Sequence, residues 1–209
     1  MMIEDFGARV ASVWQGLRST TRKLIIGALQ SASAPSQATR GGTAVPYDAR
    51  ADWELSRLLA ALDERASDAS AGLNAAQAKD LRRMADTTAF VLQNQTQSAE
   101  VFAQLVERAH ARNDFARIDA LADTLSTRFA PSEICELARS SHPVVRALAQ
   151  EALAQSPISI LISLLADPVD AEIARDALLR QAMEYDSEDA RQIVNELSQM
   201  DMPEDDDEV

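Results

Sequence analysis

From Leu73 to Val209 the chain contains no glycine, and all six glycines (Gly7, Gly16, Gly27, Gly41, Gly42 and Gly72) lie before it. A phosphate-cradling loop needs glycine where backbone meets ligand, and an Asn-Gly hairpin turn needs it for positive φ. Neither is expected after residue 72, which argues for an all-α body. Cysteine is scarcer still. Cys135 stands alone, so an internal disulfide and a Cys-rich metal centre are excluded, and the cytoplasm is the expected compartment. The only histidines, His110 and His142, are 32 residues apart. No ligand constellation surrounds them, so no metal or other cofactor is expected. Aromatic residues make up 4% of the chain, which leaves Ala, Leu, Ile and Val to build the core. Long apolar runs are missing as well. The longest near the start is Leu24 to Leu29, six residues, against the roughly 20 that a membrane-spanning helix needs. Acidic residues come first there, and Arg18, Arg22 and Lys23 interrupt it. The N-terminus therefore does not read as a secretory signal.

What is present is charge, unevenly spread. The net charge is −13. Residues 1–50 hold six basic and three acidic groups, a local balance of +3; residues 51–209 hold 14 basic and 30 acidic groups, a balance of −16. So negative a body repels nucleic acid at long range, and a nucleic-acid partner is not expected. The basic N-terminal stretch suits an anionic membrane surface or a partner protein.

Read in order, the chain falls into four parts. Residues 1–30 form an amphipathic arm, read as one helix over 3–30, with Ile3, Phe6, Val10, Val13, Trp14, Leu17, Leu24, Ile25 and Ala28 at helical spacing. Residues 31–50, rich in Ser, Gly, Pro and Thr, read as a flexible linker. Residues 51–200 form a helical-repeat domain, and residues 201–209 a disordered acidic tail. The body is expected to open with Asp52 as N-cap. Leu55, Leu58, Leu59, Leu62 and Ala66 face inward on its first helix. Asn74 and Gln77 have the spacing of a capping box. Leu81, Met84, Ala85, Thr88 and Leu92 line the next helix, Val101, Leu105 and Ala109 the third, and Phe115, Ile118, Leu121, Ala122 and Leu125 the fourth. Asn113-Asp114 breaks the chain between the last two.

Four prolines then punctuate the chain. Pro131 to Pro157 spans 26 residues and Pro143 to Pro168 spans 25. Proline suits the first turn of a helix, where its missing N–H costs nothing, so each is expected to mark a helix start. Ser156 and Asp167 are the expected caps before the last two. Ile158 to Leu165 is nearly all apolar and reads as a helix buried between neighbours. A shift of 25 residues superposes Leu148 on Ile173, Ala149 on Ala174, Ala152 on Ala177 and Leu153 on Leu178. Alanine recurring at fixed positions lets successive helices approach closely, as stacked repeats require. A last helix is expected from about Asp186 to Met200, with Ala190, Ile193, Val194 and Leu197 apolar.

His142-Pro143-Val144-Val145-Arg146-Ala147-Leu148-Ala149-Gln150-Glu151-Ala152-Leu153 resembles the second helix of HEAT-like repeats. The short period is similar to that of bacterial leucine-rich-repeat-variant and phycobilisome-lyase-type repeats. The second copy departs from the pattern, with Asp170-Ala171 at the Val-Arg positions. The resemblance implies a short HEAT-like α-solenoid of stacked helical hairpins that binds other proteins and has no activity of its own.

His142 is expected to cap the helix at Pro143, and Cys135 to be a small buried hydrophobe rather than a nucleophile. No carboxylate pair stands out as acid and base, and no small-molecule substrate is evident. Three features could carry binding. The acidic tail, Glu204-Asp205-Asp206-Asp207-Glu208, could mimic nucleic acid or bind a basic partner. Phe6, Trp14 and Leu17 form the best candidate for a partner-contacting apolar face, flanked by Arg18 and Arg22. Arg139, Arg146 and Arg175 could form a ridge along the repeats. The expected function is a non-catalytic protein–protein interaction scaffold or adaptor. The alternative is a peripheral membrane adaptor held to an anionic surface by the helix over 3–30.

Overall fold

The computed structural model describes residues 3–31, 47–68 and 72–200. Most of the expected 31–50 linker, part of the loop at 68–72 and the whole acidic tail lie outside the described residues. Every regular element described is helical: a short 3-10 turn (Ile3–Phe6) and eleven α-helices. The chain divides into two compact units, Met1–Leu105 and Val106–Val209.

Unit 1 contains the 3-10 turn, α1 (Ala8–Gly16), α2 (Ser19–Ser31), α3 (Ala49–Ser67), α4 (Ala75–Gln95) and the first half of α5 (Ala99–Ala111). α3 and α4 pack along each other, α1 lies on α3, and α2 lies chiefly on α4. The expected inward stripes at Leu55, Leu58, Leu59 and Leu62 and at Leu81, Met84, Ala85, Thr88 and Leu92 are buried; Ala66 is exposed. The Asn74–Gln77 capping box forms in both directions, at 2.9 and 3.0 Å.

Two expectations for this unit are corrected. Residues 3–30 are not one helix. The chain is extended at Leu17 (φ −69°, ψ 144°), because the carboxylate of Glu54 takes the N–H of Arg18 at 3.4 Å and draws the backbone out of helical register. Nor does Asp52 cap α3. Asp48 does, accepting from the Ala51 N–H at 2.8 Å. Asp52 sits one turn inside the helix, buried, where it accepts from the Tyr47 hydroxyl and from the Gln97 N–H at 3.2 Å.

Unit 2 contains the rest of α5, α6 (Phe115–Arg128), α7 (Pro131–Ala138), α8 (Pro143–Ala154), α9 (Ile158–Leu164), α10 (Ala171–Glu184) and α11 (Glu188–Met200). α7 packs on α8, α10 on α11, and α8 on α10, with α6 and α9 against their flanks. Asn113, at φ 55°, ends α5 in the left-handed conformation that asparagine tolerates. Pro131 and Pro143 open α7 and α8 as expected. The other two prolines do not open helices. Pro157 takes the N-cap position of α9. Pro168 lies in a turn: the Asp167 carboxylate takes the Val169 N–H at 2.9 Å and its carbonyl the Ala171 N–H at 2.8 Å, as a cap does, but regular α10 begins only at Ala171. α9 is only partly covered: Leu161 and Leu164 are buried, but Ile162 is exposed. Phe115, expected inside, is also exposed, whereas Ile118, Leu121 and Leu125 of the same helix are buried.

The 25-residue correspondence holds in burial at three of its four pairs; Ala152 is half-buried where Ala177 is buried. Ala149 and Ala174 are fully buried, as are Leu153 and Leu178, while Leu148 and Ile173 are both half-buried.

Candidate functional site

The N-terminal candidates are largely committed to packing and ion pairing within unit 1. Phe6 is 1% exposed and Leu17 is buried, together with Val10 and Ile25. Trp14 is half-buried. Arg18 is held by two carboxylates: its Nη2 lies 2.6 Å from Asp48 Oδ1 and its Nε 3.1 Å from Glu54 Oε1. Glu54 is buried, and it also accepts from the Thr21 hydroxyl and from Arg50 Nε at 3.2 Å. The hydrogen bond to Asp48 keeps the Arg18 guanidinium charged well beyond its ordinary range. Arg18 and the Ala51 N–H hold the Asp48 carboxyl down at about 2. Burial would push the Glu54 carboxyl up. Hydrogen bonds from Thr21 and from the Arg18 backbone and side chain outweigh it and hold the group below its ordinary value. Burial, reinforced by donation to Asp52, raises the Tyr47 phenol above its ordinary range. Arg22 is half-buried, and its Nε has no hydrogen-bond partner among the described residues. This network ties α2 to α3.

The three arginines of the expected ridge are spent differently. Arg139 Nη1 pairs with buried Asp170 at 2.8 Å and also donates to the Val169 carbonyl at 3.1 Å. Arg146 donates to the carbonyls of Ser140 and Ser141, at 2.8 and 3.4 Å, and so closes the turn between α7 and α8. Arg175 lies exposed on α10. The first two fasten the repeat stretch internally.

Cys135 is fully buried. Burial, with Asp170 adding to it, pushes its thiol up to about 11, which suppresses the thiolate that nucleophilic chemistry would need. His142 stands at the N-cap of α8 but makes no capping hydrogen bond. Its ring instead meets His110 edge-on, with centroids 5.2 Å apart. Among the described residues no group of three or more His, Cys, Asp or Glu is placed to hold a metal ion. No described helix is long and apolar enough to cross a membrane.

Unit 1 has recesses of about 320 Å³ between α1 and α3 and about 290 Å³ beside Asp52, and unit 2 has a larger one. α8 and α10 diverge to leave a groove of about 650 Å³. Leu148, Leu153, Ile173 and Leu179 supply its apolar lining, with Ala147 and Ala177 giving depth. Leu179 is 44% exposed, and Met183, one turn further along α10, is 76% exposed. The charged lining is Glu151, Asp176, Glu184 and Arg180. Arg180 Nη2 bridges Glu151 at 3.4 Å and Glu184 at 3.2 Å. The Tyr185 hydroxyl and Gln155 also donate to Glu151, and together they hold its carboxyl below its ordinary value. The hydrogen bond to Glu184 raises Arg180.

Sequence reasoning missed the groove. Leu148 and Ile173 read as inward residues, and Leu179 and Met183 were not singled out. Period alone gave no signal, since adjacent pairs such as Leu58-Leu59 are both buried. Leu178 is buried and Leu179 is turned outward.

No family model, no curated protein and no solved structure matches this chain.

Proposed function

We propose that this protein is a non-catalytic interaction scaffold, built on short HEAT-like repeats in unit 2, that binds a partner protein through the α8–α10 groove. The observation that carries this reading is the groove itself: an apolar lining, half open to water, on the two helices related by the 25-residue correspondence. Large apolar side chains exposed together cost solvation free energy of about 25 cal/mol per Å² until something covers them. The repeat reading draws support from the matched burial of Ala149 with Ala174 and of Leu153 with Leu178.

The test is affinity capture from native lysate followed by mass spectrometry, comparing the full chain with Met183→Asp. The substitution sits on an exposed position and should leave folding intact. A captured protein that is lost with Met183→Asp supports a scaffold working through the groove. A set of captured proteins identical for both chains refutes it. Cosedimentation with anionic vesicles tests the membrane-adaptor alternative. The burial of Phe6, Val10, Leu17 and Ile25 predicts no binding there.

A further inference from the structure

The proposal that follows rests on the scaffold reading and names the partner's chemistry: we propose that the α8–α10 groove takes a basic amphipathic helix of another protein. Two helices walling a groove present ridges between which the ridge of a third helix can lie. The apolar anchors are Leu148, Ile173 and Leu179 inside the groove and Met183 just beyond it. Leu179 and Met183, at i and i+4, are neighbours on one face of α10. Methionine is flexible and polarizable, and it adapts to a partner's side chains better than a branched residue.

Charge selects the sign of the partner. Three carboxylates and one guanidinium line the groove. Glu151 and Glu184 share Arg180, whereas Asp176 has no ion-pair partner among the described residues. The wider field agrees. Residues 106–209 contain nine arginines, no lysine and 22 acidic residues, a balance of −13, which equals the net charge of the whole chain. Residues 1–105 contain 11 basic and 11 acidic groups and balance to zero. A partner helix bearing Lys and Arg beside its apolar stripe is steered toward unit 2, while nucleic acid and anionic lipid are repelled. A second copy of this chain is a poorer occupant. Its unit 1 has no net charge to offer, and Arg9 and Arg18 there already pair with Glu64, Asp48 and Glu54.

The experiment is a fluorescence-anisotropy titration of the full chain. The probe is a labelled amphipathic helix of about five turns made of Leu and Lys, with Leu on one face. A scrambled peptide of the same composition is the reference. The expected result is one peptide bound per chain, about tenfold tighter than the scramble. Leu179→Asp should weaken binding about tenfold, as should Asp176→Arg combined with Glu184→Arg, and the charge-reversed variant should lose most of the salt dependence. Met183→Asp is the second apolar variant, at a site too exposed to threaten folding. Phe115→Asp, on an exposed apolar residue outside the groove, should bind like the unsubstituted chain. Circular dichroism melts confirm that each variant is folded.

Equal binding of the scramble, or indifference to both Leu179→Asp and Met183→Asp, overturns the proposal. A concentration-dependent dimer in sedimentation velocity that Leu179→Asp abolishes also overturns it, in favour of a second copy. If the probe fails but a captured cellular protein is still released by Met183→Asp, the partner chemistry is refuted and the scaffold reading stands. If that capture is indifferent as well, both fall.

Discussion

The two units use the same kind of helix and opposite economies of charge. In residues 1–105 the basic and acidic groups are equal in number, and two arginines are paired within the unit. Arg18 is clasped by Asp48 and Glu54, and Arg9 by Glu64. In residues 106–209 acidic groups exceed basic ones by 13. Exposed apolar side chains follow the same division. Among the described residues, unit 1 shows Ile26, Trp53 and Phe90, and the guanidinium of Arg57 covers Trp53 at 4.6 Å. Unit 2 shows Phe115, Ile162, Val169, Leu179, Met183 and Tyr185. Unit 1 balances its charge and shows fewer large apolar side chains, whereas unit 2 carries the excess of acidic groups and a groove lined by both apolar and charged residues.

The comparison can be broken most severely in the stacked alanines. Ala149→Glu places a charge without a partner where exposure is zero, and it should cost about 4 kcal/mol of unfolding free energy. An unchanged melting temperature would mean that α8 does not pack as described. Next comes the closed network of unit 1. Glu54→Ala leaves the buried Thr21 hydroxyl and the Arg18 N–H without their acceptor, although Arg18 keeps Asp48, and should cost about 2 kcal/mol by denaturant titration. A loss below about 0.5 kcal/mol would show that the network is ornamental.

Acid should loosen unit 1 through the same residues. Asp48 and Glu54 both titrate lower in the folded chain than in the unfolded one. Their contribution is therefore complete above the unfolded values near about 4 and is lost as pH falls toward about 2. Denaturation midpoints measured across that window should fall less steeply for Glu54→Gln, and an identical slope would contradict the assignment. The smallest effect belongs to the open unit. Leu179→Ser and Met183→Ser should each change stability by less than about 0.5 kcal/mol, because neither side chain is needed to close the core. A clear drop in melting temperature would mean that the groove is part of the core.

How much of this was legible depended on distance along the chain. The Asn74–Gln77 box and the prolines at 131 and 143 were readable because cap and helix are contiguous. The buried stripes of α3 and α4 were readable because period alone sets them. Pro168 misled because the capped turn that Asp167 and Pro168 form does not run on into α10, which begins at Ala171. Asp52 read as the cap and Asp48 as linker; the approach of Tyr47 and Gln97 to Asp52, and of the Ala51 N–H to Asp48, reverses the assignment. The break at Leu17 and the fate of Arg18 depend on Glu54, 36 residues away, and no local pattern announces such a pairing. The groove was hidden for a related reason. Period distinguishes inside from outside, but it does not show where two neighbouring helices fail to close over an outside leucine.

The central claim is that unit 2 binds where unit 1 does not. Photo-crosslinking in cells tests it most directly, with a benzophenone amino acid placed at Leu179 and, in a second chain, at Phe90, both exposed apolar positions. The account predicts a discrete protein adduct from position 179, joined through a Lys- or Arg-rich helical segment of the partner, and none from position 90. Equal adducts from both positions, or an adduct from position 90 alone, would contradict it.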